Sequence, residues 1–206
     1  MTSVITSRRE RKKAAAREQI IAAAIKLFSR DGLDGVTVGQ IAAEADVGKG
    51  TIYNHFESKE DIVVAFMAQA EARVQEHVAQ MAASDEPLEA ILASFIRLQL
   101  KLKEPYHAFV RIFHARMLTH TAQFMPYMFE MQKYIDPPLE NLFRDLQARG
   151  LMRTDVPMPD LLLAFKTIEM GLSSLWAIEG PPFHGTEQTL QWQMKLFSQG
   201  MKPHQP

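Results

Sequence analysis

The sequence predicts an all-α fold, and three observations carry that expectation. Glycine and proline, which interrupt helices, number only 10 and 11 of 206 residues. Ala, Leu, Glu, Gln, Lys, Arg and Met, the residues that lose least on entering a helix, fill most of the chain. Apolar residues recur at helical spacing along it, and no alternating strand pattern bounded by turn dipeptides stands out. A hydrophobic content of 47% supplies a core for a chain of this length and excludes wholesale disorder.

The elements follow in order. Ile20, Ile21, Ala24, Ile25, Leu27 and Phe28 lie on one helical face, so a first helix is expected over about residues 14–30, stopping near Gly32. "DGLDG" is a turn. Thr37 with Gln40 three residues on has the capping-box pattern, in which each side chain satisfies the other's free backbone amide, and opens a short helix over about 38–45. Asp46 to Gly48 interrupts the pattern before a third helix near 49–55, which buries Ile52 and Phe56 and shows Lys49, Thr51 and Asn54 outward. Two short helices joined by a tight turn form a helix-turn-helix. Ser58 and Asp61 repeat the capping spacing and open a helix over about 58–83. Further helices are expected over about 86–103 and 105–118. The stretch from Thr121 to Gly150 reads as one long element broken at Pro137 and Pro138, with Asp136 capping its second half. Helices over about 159–179 and 187–199 complete a bundle.

Charge is unevenly placed. Residues 1–30 carry Arg8, Arg9, Arg11, Lys12, Lys13, Arg17, Lys26 and Arg30 against Glu10 and Glu18, although the whole chain is at −1. A cationic end ahead of a mildly acidic body suits a polyanionic partner; the competing reading is a solvated tail. Residues 1–13 are expected to be a basic flexible arm. The chain has no cysteine, so no disulfide frame, thiolate metal site or thiol nucleophile exists. No apolar run approaches the roughly 20 residues of a membrane span, and the cytoplasm is the expected location. No nucleophile elbow, phosphate loop, dinucleotide fingerprint or histidine metal motif is present, so neither an enzyme nor a metal or other cofactor is expected.

The stretch "VGKGTIYNHFESKED" has the chemistry of a helix seated in a DNA major groove. Gly48 and Gly50 permit close backbone approach, and Lys49, Thr51 and Asn54 can meet base edges. Tyr53 and His55 can reach phosphates, Lys59 at the next helix start can ion-pair with the strand, and Thr37 offers a hydroxyl and free amides. The competing reading has Tyr53 wedging the small core and His55 capping or packing.

The run "TVGQIAAEADVGKGTIYNHFESKEDIV" resembles the DNA-binding segment of the TetR family of one-component transcriptional regulators, over about residues 14–65. The resemblance implies phosphate contacts from Thr37, Tyr53, His55 and Lys59, and base-facing roles for Lys49, Gly50, Thr51 and Asn54. Two positions depart from the pattern: Asp46 stands where the family has a turn glycine, and Gly48 where it has a serine cap. Aspartate tolerates a left-handed backbone and glycine caps adequately, so the turn is expected to survive.

The expected organisation is a DNA-binding domain over 14–57, a ligand-binding and dimerisation domain over 58–200, and a tail over 201–206. The last two helices are heavily apolar, and the resemblance implies that they pair two copies into a four-helix bundle; Leu161, Phe165, Ile168, Leu172, Leu175, Met194 and Phe197 are the expected interface. The competing reading is that they close the monomer's own core. The middle helices concentrate soft and aromatic groups, and Phe109, Phe113, Met117, Phe124, Met128 and Met170, with His114 orienting a polar end, are the expected contacts to a small, mainly hydrophobic effector. The partners expected are double-stranded DNA, a second copy of the chain and that effector, with the helix over 58–83 transmitting between them. The alternative is a helical adaptor with neither a DNA-binding nor an effector role.

Overall fold

The computed structural model describes residues 8–202, leaving the side chains of residues 121, 123 and 124 undescribed. Among the described residues there are nine α-helices, one 3-10 turn and no strand. They fall into two compact units divided between Phe66 and Met67, later than the boundary expected at 57/58. The difference has a local cause. Ile62 is fully buried, and Lys59 Nζ donates to the carbonyl oxygens of Leu33 (2.6 Å) and Val36 (2.8 Å), so the first turns of the fourth helix belong to the first unit.

The first unit contains α1 (Arg8–Asp31), α2 (Val38–Glu44), α3 (Lys49–Tyr53) and the start of α4 (Lys59–Ala82). Its core is built from Ile20, Ile25, Phe28, Ile41, Ile52 and Ile62. Helix α1 starts earlier than expected, so Arg8 to Lys13 are helical rather than a flexible arm, while residues 1–7 lie outside the described residues. Arg, Lys, Glu and Ala all favour helix, and Glu10 lies in the first turn, where the exposed amides attract an anion. Both caps read from the sequence are formed. Gln40 N donates to Thr37 Oγ1 (3.2 Å) while Thr37 N donates to Gln40 Oε1 (2.8 Å). Asp61 N donates to Ser58 Oγ (3.1 Å), and Ser58 N to Asp61 Oδ2 (2.8 Å).

The second unit continues α4 and adds α5 (Leu88–Lys103), a 3-10 turn (Glu104–Tyr106), α6 (His107–Thr119), α7 (Thr121–Ala148), α8 (Met158–Glu179) and α9 (His184–Met201). Helix α9 lies against α5 and α8, and α8 also meets α6 and α7. Phe165 of α8 sits at the centre of the core, its ring 6.0 Å from Phe95, 5.4 Å from Phe143 and 5.5 Å from Phe197, all edge-on.

Two expectations are corrected here. Helix α7 runs unbroken through Pro126, Pro137 and Pro138, and Asp136 does not cap a second half but accepts a hydrogen bond from Lys166 Nζ of α8 at 2.8 Å. An interior proline costs a helix about 3 kcal/mol; burial of Leu139, Leu142, Phe143 and Leu146 along the following turns offsets it. By length and composition α8 is apolar enough to cross a membrane, contrary to the sequence expectation. Its apolar residues are instead divided between the unit's core and an outer face, and Lys166 is tied to α7.

Helix α7 ends in a left-handed Gly150 (φ 70°) with Leu151 N donating to Leu146 O (3.0 Å) and Gly150 N to Gln147 O (2.9 Å), the doubly bonded stop that a glycine past the last turn permits. Arg149 beside it donates to the carbonyl oxygens of Ala82 and Ser84, fastening the ends of α7 and α4 together.

Candidate nucleic-acid interface

The turn between α2 and α3 decides how α3 is presented. Ala45 ends α2, and Asp46 takes φ 52°, the left-handed conformation that the sequence reading assigns to it. Val47 N then donates to Ala42 O (3.0 Å) and Asp46 N to Ala43 O (3.3 Å), so an aspartate closes the same stop that glycine closes after α7. Gly48 follows as the N-cap of α3, with no side-chain hydrogen bond. The loop therefore adds little bulk beside α3.

On α3 itself only Ile52 is buried. Lys49, Gly50, Tyr53 and Asn54 are exposed and Thr51 is half-buried, which leaves the small and polar groups on the open side. Tyr53 is 59% exposed and so does not wedge the core. Asn54 is the C-cap of α3 and holds it by its backbone alone, leaving the amide side chain out of the cap. Thr37 is exposed at the N-terminus of α2. His55 is half-buried, and burial first, then the charges of Lys13 and Arg17, push its pKa below the usual histidine value. Lys59 has a role that spacing did not reveal: its two bonds to Leu33 and Val36 clamp the loop ahead of α2 while its third N–H remains for another acceptor.

Two arrangements escaped the sequence reading, which had Lys13 and Arg17 only as part of a cationic end. Lys13 and Arg17, four apart on α1, act on His55, and the Arg17 guanidinium lies 5.2 Å from the centre of the Phe56 ring. Their i, i+4 spacing was the available signal. Gly39 on α2 is the other. A Cβ there would stand 2.8 Å from Lys49 Cε and 3.2 Å from its Nζ, so the Lys49 stem lies across the bare backbone of Gly39. Gly39→Ala should displace the Lys49 ammonium. We expect helix content and melting temperature to hold, since alanine favours a helix interior by about 0.5–1 kcal/mol, while preference among operator variants in a mobility-shift assay changes.

In the second unit, Phe109, Phe113 and Met117 are buried along α6, with the first two rings 6.0 Å apart. His114 on the same helix shares a hydrogen bond with Ser174 Oγ of α8 (Nδ1 to Oγ 3.1 Å), and burial, then Lys103, hold its pKa down to about 4. It is a neutral imidazole at physiological pH. His107, seven residues earlier, is engaged elsewhere, against Trp176 and Phe183. Met128 is half-buried. Met170 is 42% exposed on the outside of α8 and does not line the interior, which corrects its expected role. The side chain of Phe124 lies outside what the structure describes. No three His, Asp or Glu side chains converge as a metal site would require among the described residues.

The expected interface is also corrected. Leu161, Phe165, Leu172, Met194 and Phe197 are buried in the unit's own core. Periodicity marks a face as apolar without saying what covers it, and here the chain covers it. Ile168 and Leu175 remain accessible, lining a groove of about 370 Å³ with Thr167, Gly171, Leu172, Thr189 and Gln193. The apolar groups left uncovered on these helices include Ile178, Trp192 and Leu196.

Comparison with known proteins agrees with this anatomy. Residues 20–66 match the family described as bacterial regulatory proteins, tetR family. The chain is 27% identical over 192 residues, 92% of its length and 93% of the relative's, to the HTH-type transcriptional repressor AcnR of Corynebacterium diphtheriae. In fold it is similar to FadR from Bacillus subtilis, solved in complex with stearoyl-CoA, with a TM-score of 0.71 and 18% identity over 89% of this chain and 98% of that one. It is likewise similar to Thermus thermophilus FadR in complex with lauroyl-CoA, with a TM-score of 0.69 and 20% identity over 92% and 97% of the two chains. Residues 20–66 thus carry the DNA-binding helix-turn-helix of the TetR family of transcriptional regulators, ahead of a helical body similar in fold to FadR.

Proposed function

We propose that the protein is a ligand-responsive transcriptional repressor that binds a palindromic operator as a homodimer and leaves it when a small, mainly hydrophobic effector enters the second unit. The observation that carries the reading is α3: a short helix held from behind by Ile52 alone, with Lys49, Gly50, Tyr53 and Asn54 open to a partner. Lys49, Thr51 and Asn54 meet base edges beside Gly50, and Thr37, Tyr53, His55 and Lys59 take phosphates, joined by Lys13 and Arg17. One such helix makes few base contacts, so affinity requires two, about 34–36 Å apart on successive turns of the groove. Pairing of copies through the outer faces of α8 and α9 supplies the second. A protein that acts on chromosomal DNA in this way works in the cytoplasm.

The effector acts by preferring a dimer whose two reading heads no longer fit the operator. A coupling of about 1–3 kcal/mol is enough for a 5- to 150-fold loss of DNA affinity. Helix α4, whose residues fall in both units, is our candidate for the coupling element.

A mobility-shift assay with the protein's own promoter region at two salt concentrations tests the DNA reading. A regulator binds tightly, and its affinity falls steeply with salt because counterions released into a saltier solution gain less entropy. Lys49→Ala should relax base preference, and Tyr53→Phe should weaken all sequences alike. Binding that ignores both salt and these changes would refute the assignment.

A further inference from the structure

The second unit gathers a knot of polar groups from four helices: Glu71 of α4 and Gln99 of α5 are buried, and Lys103 of α5, His114 of α6, and Glu169 and Ser174 of α8 are half-buried around them. Lys103 Nζ stands 3.7 Å from Glu71 Oε1, donates to Gln99 Oε1 at 3.3 Å, and its charge also acts on Glu169. Lys166, the other cation acting on Glu169, is already paired with Asp136, and His114 is neutral. Two carboxyl groups therefore share one ammonium. Glu71 is 3% exposed, yet its Oε2 has no hydrogen-bond partner among the described residues. The Nε2 of Gln99 faces Glu169 and favours its ionised form, though it falls short of a well-formed hydrogen bond.

We propose that this knot receives a cationic nitrogen, so that the effector is a hydrophobic amine or amidine whose N–H donates to Glu71 Oε2 while its apolar body lies along α6 against Phe113. The inference rests on the effector reading above and names its chemistry.

The reasoning is charge balance in a poor solvent. An excess negative charge away from water is unfavourable unless it is paired and hydrogen-bonded, so either a carboxyl keeps a proton or a cation arrives. Burial, opposed by Lys103, pushes Glu71 up to about 7, and burial raises Glu169 as well, so without a guest the knot stays near neutrality by retaining a proton. A guest ammonium replaces it: the N–H···Oε2 bond forms, Glu71 ionises, and its proton passes to the solvent. An anionic head group would meet two carboxyls sharing one lysine, and His114 offers it no charge.

Calorimetric titration of the full chain with decylamine, decanol and decanoate, at a pH about one unit below the Glu71 value of about 7, where nearly every copy carries the proton, and in buffers of differing ionisation heat, tests the site. Decylamine should bind about 10- to 100-fold more tightly than decanol, the span expected for a charge-assisted hydrogen bond, and decanoate more weakly than either. Proton release with decylamine should approach about one per chain and fade at higher pH, where Glu71 is already ionised. Glu71→Gln should lose both the amine preference and the proton release while keeping its melting transition and its affinity for decanol. Equal affinity for decylamine and decanol, or amine binding without proton release, would overturn the site. The same ligands in the mobility shift separate the two readings. Glu71-dependent amine binding that leaves DNA bound supports the site and sinks the effector role. Release by lauroyl-CoA with no amine binding does the reverse.

Discussion

Phe165→Ala should lower the stability of the second unit by about 3–5 kcal/mol, the usual loss when a large aromatic leaves a packed core without collapse of the space. The ring is fully buried and meets Phe95, Phe143 and Phe197 edge-on, which joins α5, α7, α8 and α9 at one point. Four elements cannot all close on an alanine. Denaturant unfolding followed by circular dichroism at several protein concentrations checks the assignment. The lowered midpoint should persist at high concentration, because the lost contacts lie within one chain. Had Phe165 faced a second copy, as its sequence position suggested, raising the concentration would restore most of the midpoint by mass action.

What the sequence disclosed was local. Thr37 with Gln40 and Ser58 with Asp61 are caps formed between residues three apart, so spacing alone specifies them. The left-handed Asp46 was legible for the same reason, since a short polar side chain is among the few that tolerate that backbone. Distant partners stayed hidden. Helix α9 begins at His184 rather than near 187 because Glu179, on the preceding helix, accepts from Gly185 N (2.6 Å) and Thr186 N (2.8 Å) and so caps it from outside. The prolines of α7 read as a break because the pattern cannot register the buried face that carries the helix past them.

The candidate sites divide in the same way. Lys49, Thr51, Tyr53 and Asn54 could be singled out as candidates because the run of small and polar residues that holds them lies within one short helix. That Lys49 lies over Gly39, or that Lys59 clamps the carbonyl oxygens of Leu33 and Val36, depends on how α2, α3 and the loop before them meet. Glu71 was invisible for a different reason: one glutamate in a long amphipathic helix looks like any solvated one until its neighbours are known. Helix α8 concealed most. Leu161, Phe165, Leu172 and Trp176 face inward, while Ile168, Leu175 and Ile178 lie at spacings of seven and three on the other side. A helix apolar on two faces carries no mark of which one another copy covers.

The outer face yields the second large effect: Ile178→Glu with Leu196→Glu should convert the protein to a monomer and abolish operator binding. Ile178 of α8 and Leu196 of α9 are 76% and 62% exposed, and Trp192, one turn before Leu196, is 59% exposed. Large apolar groups left this open on one pair of helices are unusual on a surface that stays wet. In a two-fold dimer each substituted residue enters the interface twice. Each replacement gives up about 1.5–3 kcal/mol of apolar burial and places a charge where none is paired. Two charges per copy, repeated by symmetry, outweigh what a standard dimer interface has in reserve. Because both side chains are outside the core, the melting transition of each unit should survive, which separates dissociation from unfolding. Sedimentation velocity should show the mass halving, and the mobility shift should disappear at concentrations where the parent protein is saturated, since one α3 alone reads a single half-site. If the double variant sediments as a dimer and still shifts the operator, the copies meet through another surface, and the α8 and α9 face must be withdrawn as the interface.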